Sequence, residues 1–407
     1  MSYDRRYILQ WMSGLLMLLL LTACSKSSDG DDGPSSNKPV LKIYVFPPDN
    51  PVITRGNNGD VNASEEERKI NSLHIWVFEH HDAGDPEDGK YVGHISLNNV
   101  DIASAGSEVS MELSDAFASQ ETLPHVDVYV AANVSSANCG FSLSATTTRD
   151  QLDAALIEGR YFGVSNPIMT VPVDGLPMSG VLKDQQITGS SPTFQVSDGE
   201  GRLANARLVR AVSKIRFVFS KSTSNPDELA VNEIKLNGDV MPMQEFLFLD
   251  NAYDLETTQK WKVGSAYEQA TQLVSSVEGK DINKNDSPAS YSYDGKMSGQ
   301  AYETLIQKGI DEGKLSDLGT FYLRESNKAL SGTIKYTLKH TEGQKNGSEE
   351  PTVNSPRFTM ASDSDFSRNH TWIVYAYFVS SGDLIMGIVE IKDWGNSENT
   401  SQSVYNW

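Results

Sequence analysis

Short apolar runs stopped by Pro, Gly, Asn or Asp follow one another along most of this chain, and such runs read as strands. Val40-Leu41-Lys42-Ile43-Tyr44-Val45-Phe46 ends at Pro47-Pro48. Leu73-His74-Ile75-Trp76-Val77-Phe78 puts Leu73, Ile75 and Val77 on one face and Trp76 and Phe78 on the other, because successive side chains of a strand point to opposite faces. Tyr91–Leu97, Glu108–Leu113, Val126–Ala132 and Ile168–Val173 have the same character, each bounded by turn residues. One short helix interrupts them: Thr147 or Thr148 caps Arg149–Glu158, where Leu152, Ala155 and Leu156 share a stripe. Strands at intervals with polar turns predict a β-sandwich rather than a parallel sheet.

A boundary falls near Asp198-Gly199-Glu200-Gly201. After it, Ala206–Phe219 reads as one long strand whose arginines and lysines face water while its apolar residues face a core. Val231–Leu236 and Glu245–Leu249 continue this second domain. Residues 250–330 are polar and turn-rich and read as a surface insertion, with a helix over Gln300–Lys308 that Gly309 ends. Strands resume at Ser331–Leu338, Thr371–Val379 and Leu384–Ile391, the last two joined as a hairpin by Ser380-Ser381-Gly382-Asp383. No internal repeat of short period is present.

The N-terminus is of another kind. Arg5 and Arg6 precede Met12–Leu21, an almost unbroken apolar run. Ten residues are too few to span a bilayer as a helix, which takes roughly 20, so residues 1–23 read as a signal peptide. Leu21-Thr22-Ala23-Cys24 resembles the bacterial lipobox, which makes Cys24 the lipid attachment site and first mature residue. Residues 24–39 are then a flexible acidic tether, rich in Ser, Gly and Asp with nothing to bury. Its acidic cluster resembles the export tag of lipoproteins sent to the outer face of the outer membrane.

Composition narrows the function. The formal charge is -20, and the leader holds Asp4, Arg5 and Arg6, so its removal takes the count to about -21. That excludes nucleic acid as a partner, since phosphate contacts need a basic surface. With Cys24 lipidated, Cys139 stands alone and no intrachain disulfide forms. There is no Gly-rich phosphate loop, no His-x-x-x-His and no Cys-x-x-Cys. His80 and His81 are adjacent and point to opposite faces of a strand, so they are poor joint ligands. Asp82, Asp85, Glu87 and Asp88 lack the spacing and turn glycine of a known calcium loop. Glu65-Glu66-Glu67 reads as a solvated segment before the strand at Leu73. The reading is non-enzymatic, with no cofactor and no metal.

Several stretches taken in order resemble a known family. They are Arg55 with Ile70-Asn71-Ser72-Leu73-His74-Ile75-Trp76-Val77-Phe78, then Val128-Tyr129-Val130-Ala131-Ala132-Asn133 and Leu176-Pro177-Met178-Ser179-Gly180. Leu208-Val209-Arg210-Ala211-Val212-Ser213-Lys214-Ile215 follows, and then Arg368-Asn369-His370-Thr371-Trp372 with Val389-Glu390-Ile391-Lys392-Asp393-Trp394. Behind a lipobox, this succession resembles the fimbrillins, the lipoprotein-derived subunits of type V pili. The resemblance implies a mainly β fold of two tandem transthyretin-like β-sandwich domains, 40–205 and 206–407, with a short helix in the first and a polar insertion in the second.

It also implies a cell-surface fimbrium at the outer membrane, adhesion, and assembly with other fimbrial subunits by donor-strand exchange. An arginine-specific protease removes the first strand, here Val40–Phe46, and a neighbour's strand fills the opened groove. Proteolytic maturation falls at Arg55 and Gly56, in a Gly/Asn-rich loop, with Arg68 as a rival that three glutamates precede. The donor is either the tail after Trp394 or the strand Leu384–Ile391. A non-polymerising pilus anchor and a glycan-binding surface lipoprotein are the alternative readings, the latter using Trp or Tyr as sugar platforms. Cys24→Ala is expected to abolish incorporation of labelled fatty acid and leave precursor unprocessed; a mutant that still takes up label would refute the lipobox assignment.

Overall fold

The computed structural model describes residues 38–48, 64–103, 106–163, 168–225, 227–249, 267–268, 272–339, 352–354, 357–359, 366–379, 384–391 and 400–406. The signal peptide, Cys24, most of the tether, the Arg55-Gly56 bond and Trp394 lie outside the described residues.

The first strands are β1 (Val40–Phe46), β2 (Ile70–His80), β3 (Tyr91–Val100), β4 (Ser107–Glu112), β5 (His125–Ala132) and β6 (Leu156–Glu158). They continue with β7 (Met178–Ser190), β8 (Thr193–Ser197), β9 (Asn205–Arg207) and β10 (Val209–Arg210). Nine of these form a sheet ordered β3-β2-β5-β7-β8-β1-β4, with β10 beside β7 and β9 beside β1. The sheet folds over on itself through β7, whose Met178–Gln185 pairs with β5 and whose Gln186–Ser190 pairs with β8. One apolar core fills the fold, built from alternating positions such as Leu41, Ile43 and Val45 of β1, Leu73, Ile75 and Val77 of β2, and Val128 and Val130 of β5. The even spacing seen in the sequence is this sandwich-like face.

The later strands are β11 (Ser213–Ser222), β12 (Glu228–Asn237), β13 (Gln244–Phe246), β14 (Gln272–Asp281), β15 (Lys284–Asn285) and β16 (Ser316–Leu323). After them come β17 (Ser331–Lys339), β18 (Thr352–Asn354), β19 (Arg357–Thr359), β20 (Thr371–Phe378), β21 (Leu384–Ile391) and β22 (Thr400–Asn406). One sheet runs β15-β11-β20-β21-β22 with β16 beside β11, and another runs β14-β12-β17-β18 with β19 beside β17. A second core, including Phe217, Phe219, Ile234, Ile334 and Trp372, lies between them. On the other face of the β11–β20–β21 sheet the helix Gly299–Asp311 buries Tyr302 and Ile306 against Val218, Ile373 and Tyr375. Covered on both sides, β20 is buried at all eight positions, which explains its continuous apolar run. The β20–β21 hairpin forms as expected, with Phe378 opposite Leu384.

Several expectations are corrected. Residues 250–330 are not a surface insertion over the described part: β14 pairs with β12, β16 pairs with β11, and the helix between them roofs a core. Its apolar residues are few but correctly spaced, and the polar turns between them hid this. Gly309 does not end the helix. A Cβ there would come within 2.6 Å of Leu315 and Tyr291, so this glycine permits close packing, and the left-handed Gly313 (φ 68°) follows the helix end. The run Ala206–Phe219 is three strands, because the chain crosses here from one sheet to another.

The helix after Thr148 stops at Asp153, and Leu156–Glu158 pairs instead with β13. That pairing draws Leu247 and Phe248 into the first core, where the Phe248 ring meets Tyr129 at 5.4 Å. Within Ile168–Val173 no strand forms; Ile168 makes a single bridge to Tyr322. Ile306→Ala is expected to lower stability by roughly 2–5 kcal/mol in urea unfolding, as for other buried large-to-small changes. A loss below about 0.5 kcal/mol, the range of surface substitutions, would return the helix to the periphery.

Candidate functional site

β1 is the first described strand, yet it is internal to its sheet. Along one edge it pairs antiparallel with β4 from Val40↔Glu112 to Val45↔Ser107. Its other edge is shared by β8, parallel at Val40–Lys42, and β9, parallel at Tyr44–Phe46. Leu41, Ile43 and Val45 are all 0% exposed, worth roughly 1.5–3 kcal/mol each in burial. On the outer face Lys42 meets Glu108 at 2.9 Å and the Tyr44 hydroxyl donates to Glu108 at 3.0 Å. Withdrawal of β1 would leave three empty apolar sites and unpaired backbone on β4, β8 and β9.

The next described residue after Pro48 is Ser64. Contrary to the solvated reading, Glu65–Arg68 is a helical turn with a complete capping box, in which Ser64 and Glu67 satisfy each other's backbone N–H groups. Glu65, Glu66 and Arg68 are exposed, but Glu67 is 2% exposed. It accepts from the Tyr322 hydroxyl at 2.6 Å and pairs with Lys214 at 3.3 Å, and Arg210 Nε donates to its carbonyl at 3.1 Å. Lys214 also pairs with Glu303 of the 299–311 helix at 3.2 Å, and Arg210 donates to Asn369 Oδ1 at 3.3 Å. Burial alone pushes the Glu67 carboxyl up, but Lys214, the Tyr322 hydroxyl and Arg210 outweigh it and hold its pKa below the ordinary value. For Lys214, burial pulls down and the two carboxylates prevail, so its pKa is raised. Both groups are therefore ionised in a nearly dry seam, where removing one partner of a pair costs about 3–5 kcal/mol. The sequence expectation that the charges of 206–219 face water fails at Arg210 and Lys214 for this reason.

Residues 41–216 match the family model of the major fimbrial subunit protein, FimA. That span, less than half of the chain, resembles a fimbrillin subunit. A search of curated protein sequences found no significant match. Among solved structures, the tip fimbrial protein Mfa3 of Porphyromonas gingivalis aligns at 11% identity and TM-score 0.40, covering 91% of this chain and 100% of that one. The fimbrial anchor protein Mfa2 of the same organism aligns at 8% identity and TM-score 0.34, covering 83% and 91%. A Parabacteroides distasonis protein assigned to cell adhesion aligns at 15% identity and TM-score 0.48, covering 91% and 97%.

Elsewhere in the protein the polar candidates are committed to structure. His80 meets Asp127 at 2.8 Å and His81 meets Glu79 at 3.1 Å. Arg149 bridges Asp88 at 2.5 Å and Asp127 at 3.2 Å, which ties the 82–89 turn to the sheet. No group of three metal-ligating side chains occurs among the described residues. Trp76 and Trp372 are 0% and 2% exposed, so neither is a sugar platform.

A second buried ionic cluster, not visible in the sequence, joins the β6–β13 pair to residues 324–368. Arg368 pairs with Glu325 at 2.5 Å and lies 4.0 Å from Glu245, and Arg324 pairs with Glu268 at 2.8 Å. Burial pushes the Glu245 pKa up to about 8, with Arg368 opposing and Glu325 reinforcing the shift. The folded state thus holds a proton that the unfolded chain releases near the ordinary value of 4.5. This group's contribution is complete below that value and is lost as pH rises to about 8, at up to about 1.4 kcal/mol per pH unit. Glu245→Gln is expected to remove this loss, so the stability difference between variant and wild type should grow from pH 5 to pH 8 in parallel denaturation series; a constant difference would assign Glu245 an ionised state throughout.

Proposed function

We propose that this protein is a fimbrillin, a structural subunit, stalk or tip, of a cell-surface type V pilus. In this reading it is exported as a lipoprotein through Cys24, organised as two tandem transthyretin-like sandwiches, and polymerised by protease-triggered donor-strand exchange. The observation that carries the reading is the placement of β1: it fills the core and is paired along both edges. The segment from Asp49 to Ala63 that follows it contains a single basic residue, Arg55. Cleavage after Arg55 would make β1 a separate chain, held by pairing and burial alone and replaceable by a strand with the same alternation. Of the two donor candidates, β21 is paired on both sides while β22, among the described residues, pairs with β21 alone, so β22 is the less costly to release. Other fimbrial subunits, an arginine-specific protease and the outer membrane are the partners this requires.

Arg55→Ala is expected to leave a folded, lipidated monomer and no filaments, and wild-type polymer is expected to begin at Gly56. N-terminal sequencing of sheared surface protein beside electron microscopy of the mutant provides the measurement. Filaments from Arg55→Ala cells would overturn the cleavage step, and wild-type protein that stays monomeric with Cys24 at its start would favour the anchor reading.

A further inference from the structure

The chain offers an arginine-specific protease two arginines between β1 and β2, Arg55 and Arg68. Arg68 is exposed at the end of its helical turn, so burial of the arginine is not what protects the bond that follows it. A protease must draw several residues on each side of the bond into an extended conformation, which needs local unfolding. For Arg68-Lys69 the segment to be extended includes Glu67 on one side and Ile70 and Asn71 on the other.

Each of these is held by different chemistry. Glu67 is fixed in the seam by Tyr322, Lys214 and the Arg210 contact to its carbonyl. Arg68 N–H donates to the Ser64 carbonyl at 3.2 Å, closing the turn. Ile70 is 3% exposed and pairs with Val100, and Asn71 N–H donates to Asn133 Oδ1 at 2.8 Å. Extending this stretch would pull an ionised carboxylate from Lys214 within a buried site, and the cost of separating such a pair is high.

We propose that Glu67 sets the register of maturation: by holding Ser64–Arg68 in the seam, it denies the protease the Arg68-Lys69 bond and confines processing to the segment before Ser64. Glu67 acts through the backbone it anchors, so it is a positioning residue. The proposal rests on the processing reading above but is tested apart from it. Were the cut to fall after Arg68, the new chain would begin at Lys69 without its capped turn, and the seam would lose its carboxylate.

The test digests the folded leaderless chain, residues 25–407, with an arginine-specific endoprotease and follows each cut by intact-mass spectrometry. Wild type should resist cleavage after Arg68, while Glu67→Ala should be cut there at least ten-fold faster with other sites unchanged. Tyr322→Phe removes one hydrogen bond only and should give a smaller increase at the same bond, which serves if Glu67→Ala does not fold. Cleavage after Arg68 in wild type as fast as in the variants would overturn the proposal, as would resistance at Arg68 in a folded Glu67→Ala. Resistance at Arg55 in the same digest would count against the processing reading and leave the result at Arg68 standing.

Discussion

An ionised carboxylate with almost no water around it, Glu67 against Lys214 and Tyr322, is the constraint on which the arrangement of this molecule depends. Such a contact is directional and intolerant of loss, because a charge left behind in a dry site has nothing to replace its partner. It joins three stretches distant in sequence: the turn before β2, the start of β11 and the end of β16. With Arg210 and Asn369 beside it, it also marks where the chain passes from the first core to the second.

β1 is attached by another kind of force. Its ladder bonds and its three buried aliphatic side chains make no demand on identity beyond an extended backbone with apolar residues at alternate positions. Any strand meeting that description can occupy the same place. Twenty residues on, the chain is held by charges and hydrogen bonds that only particular side chains satisfy. An element held by generic burial and one held by specific charges thus stand next to each other in sequence, separated by the segment that carries Arg55. The strand exchange proposed above would need this contrast.

The second ionic cluster serves the same crossing from the other side. β13 leaves the second half to pair with β6 of the first, and Arg368 and Arg324 hold the backbone there through Phe246, Leu247, Pro242 and Glu158. Its carboxylates do not all find a compensating charge, which is why Glu245 keeps a proton.

Elements that depend on near neighbours were legible in the sequence. β1 has the predicted bounds, and the cores of β2, β5, β20 and β21 follow from period-two alternation or apolar runs, since side-chain direction along a strand is a local matter. The Cys24 and Arg55 readings rest on local pattern too, but both residues lie outside the described ones and their roles are proposals. Tertiary structure alone decided what contacts between distant residues decide. A charged residue in an alternating run reads as a solvated face, and only the arrival of Glu67, Glu303 and Asn369 makes Arg210 and Lys214 residents of a buried seam. A polar, turn-rich stretch reads as an insertion until β12 and β11 are there to pair with it. Whether a charge is buried depends on partners far away in sequence, 147 positions for Lys214 and Glu67, and no local period carries that information.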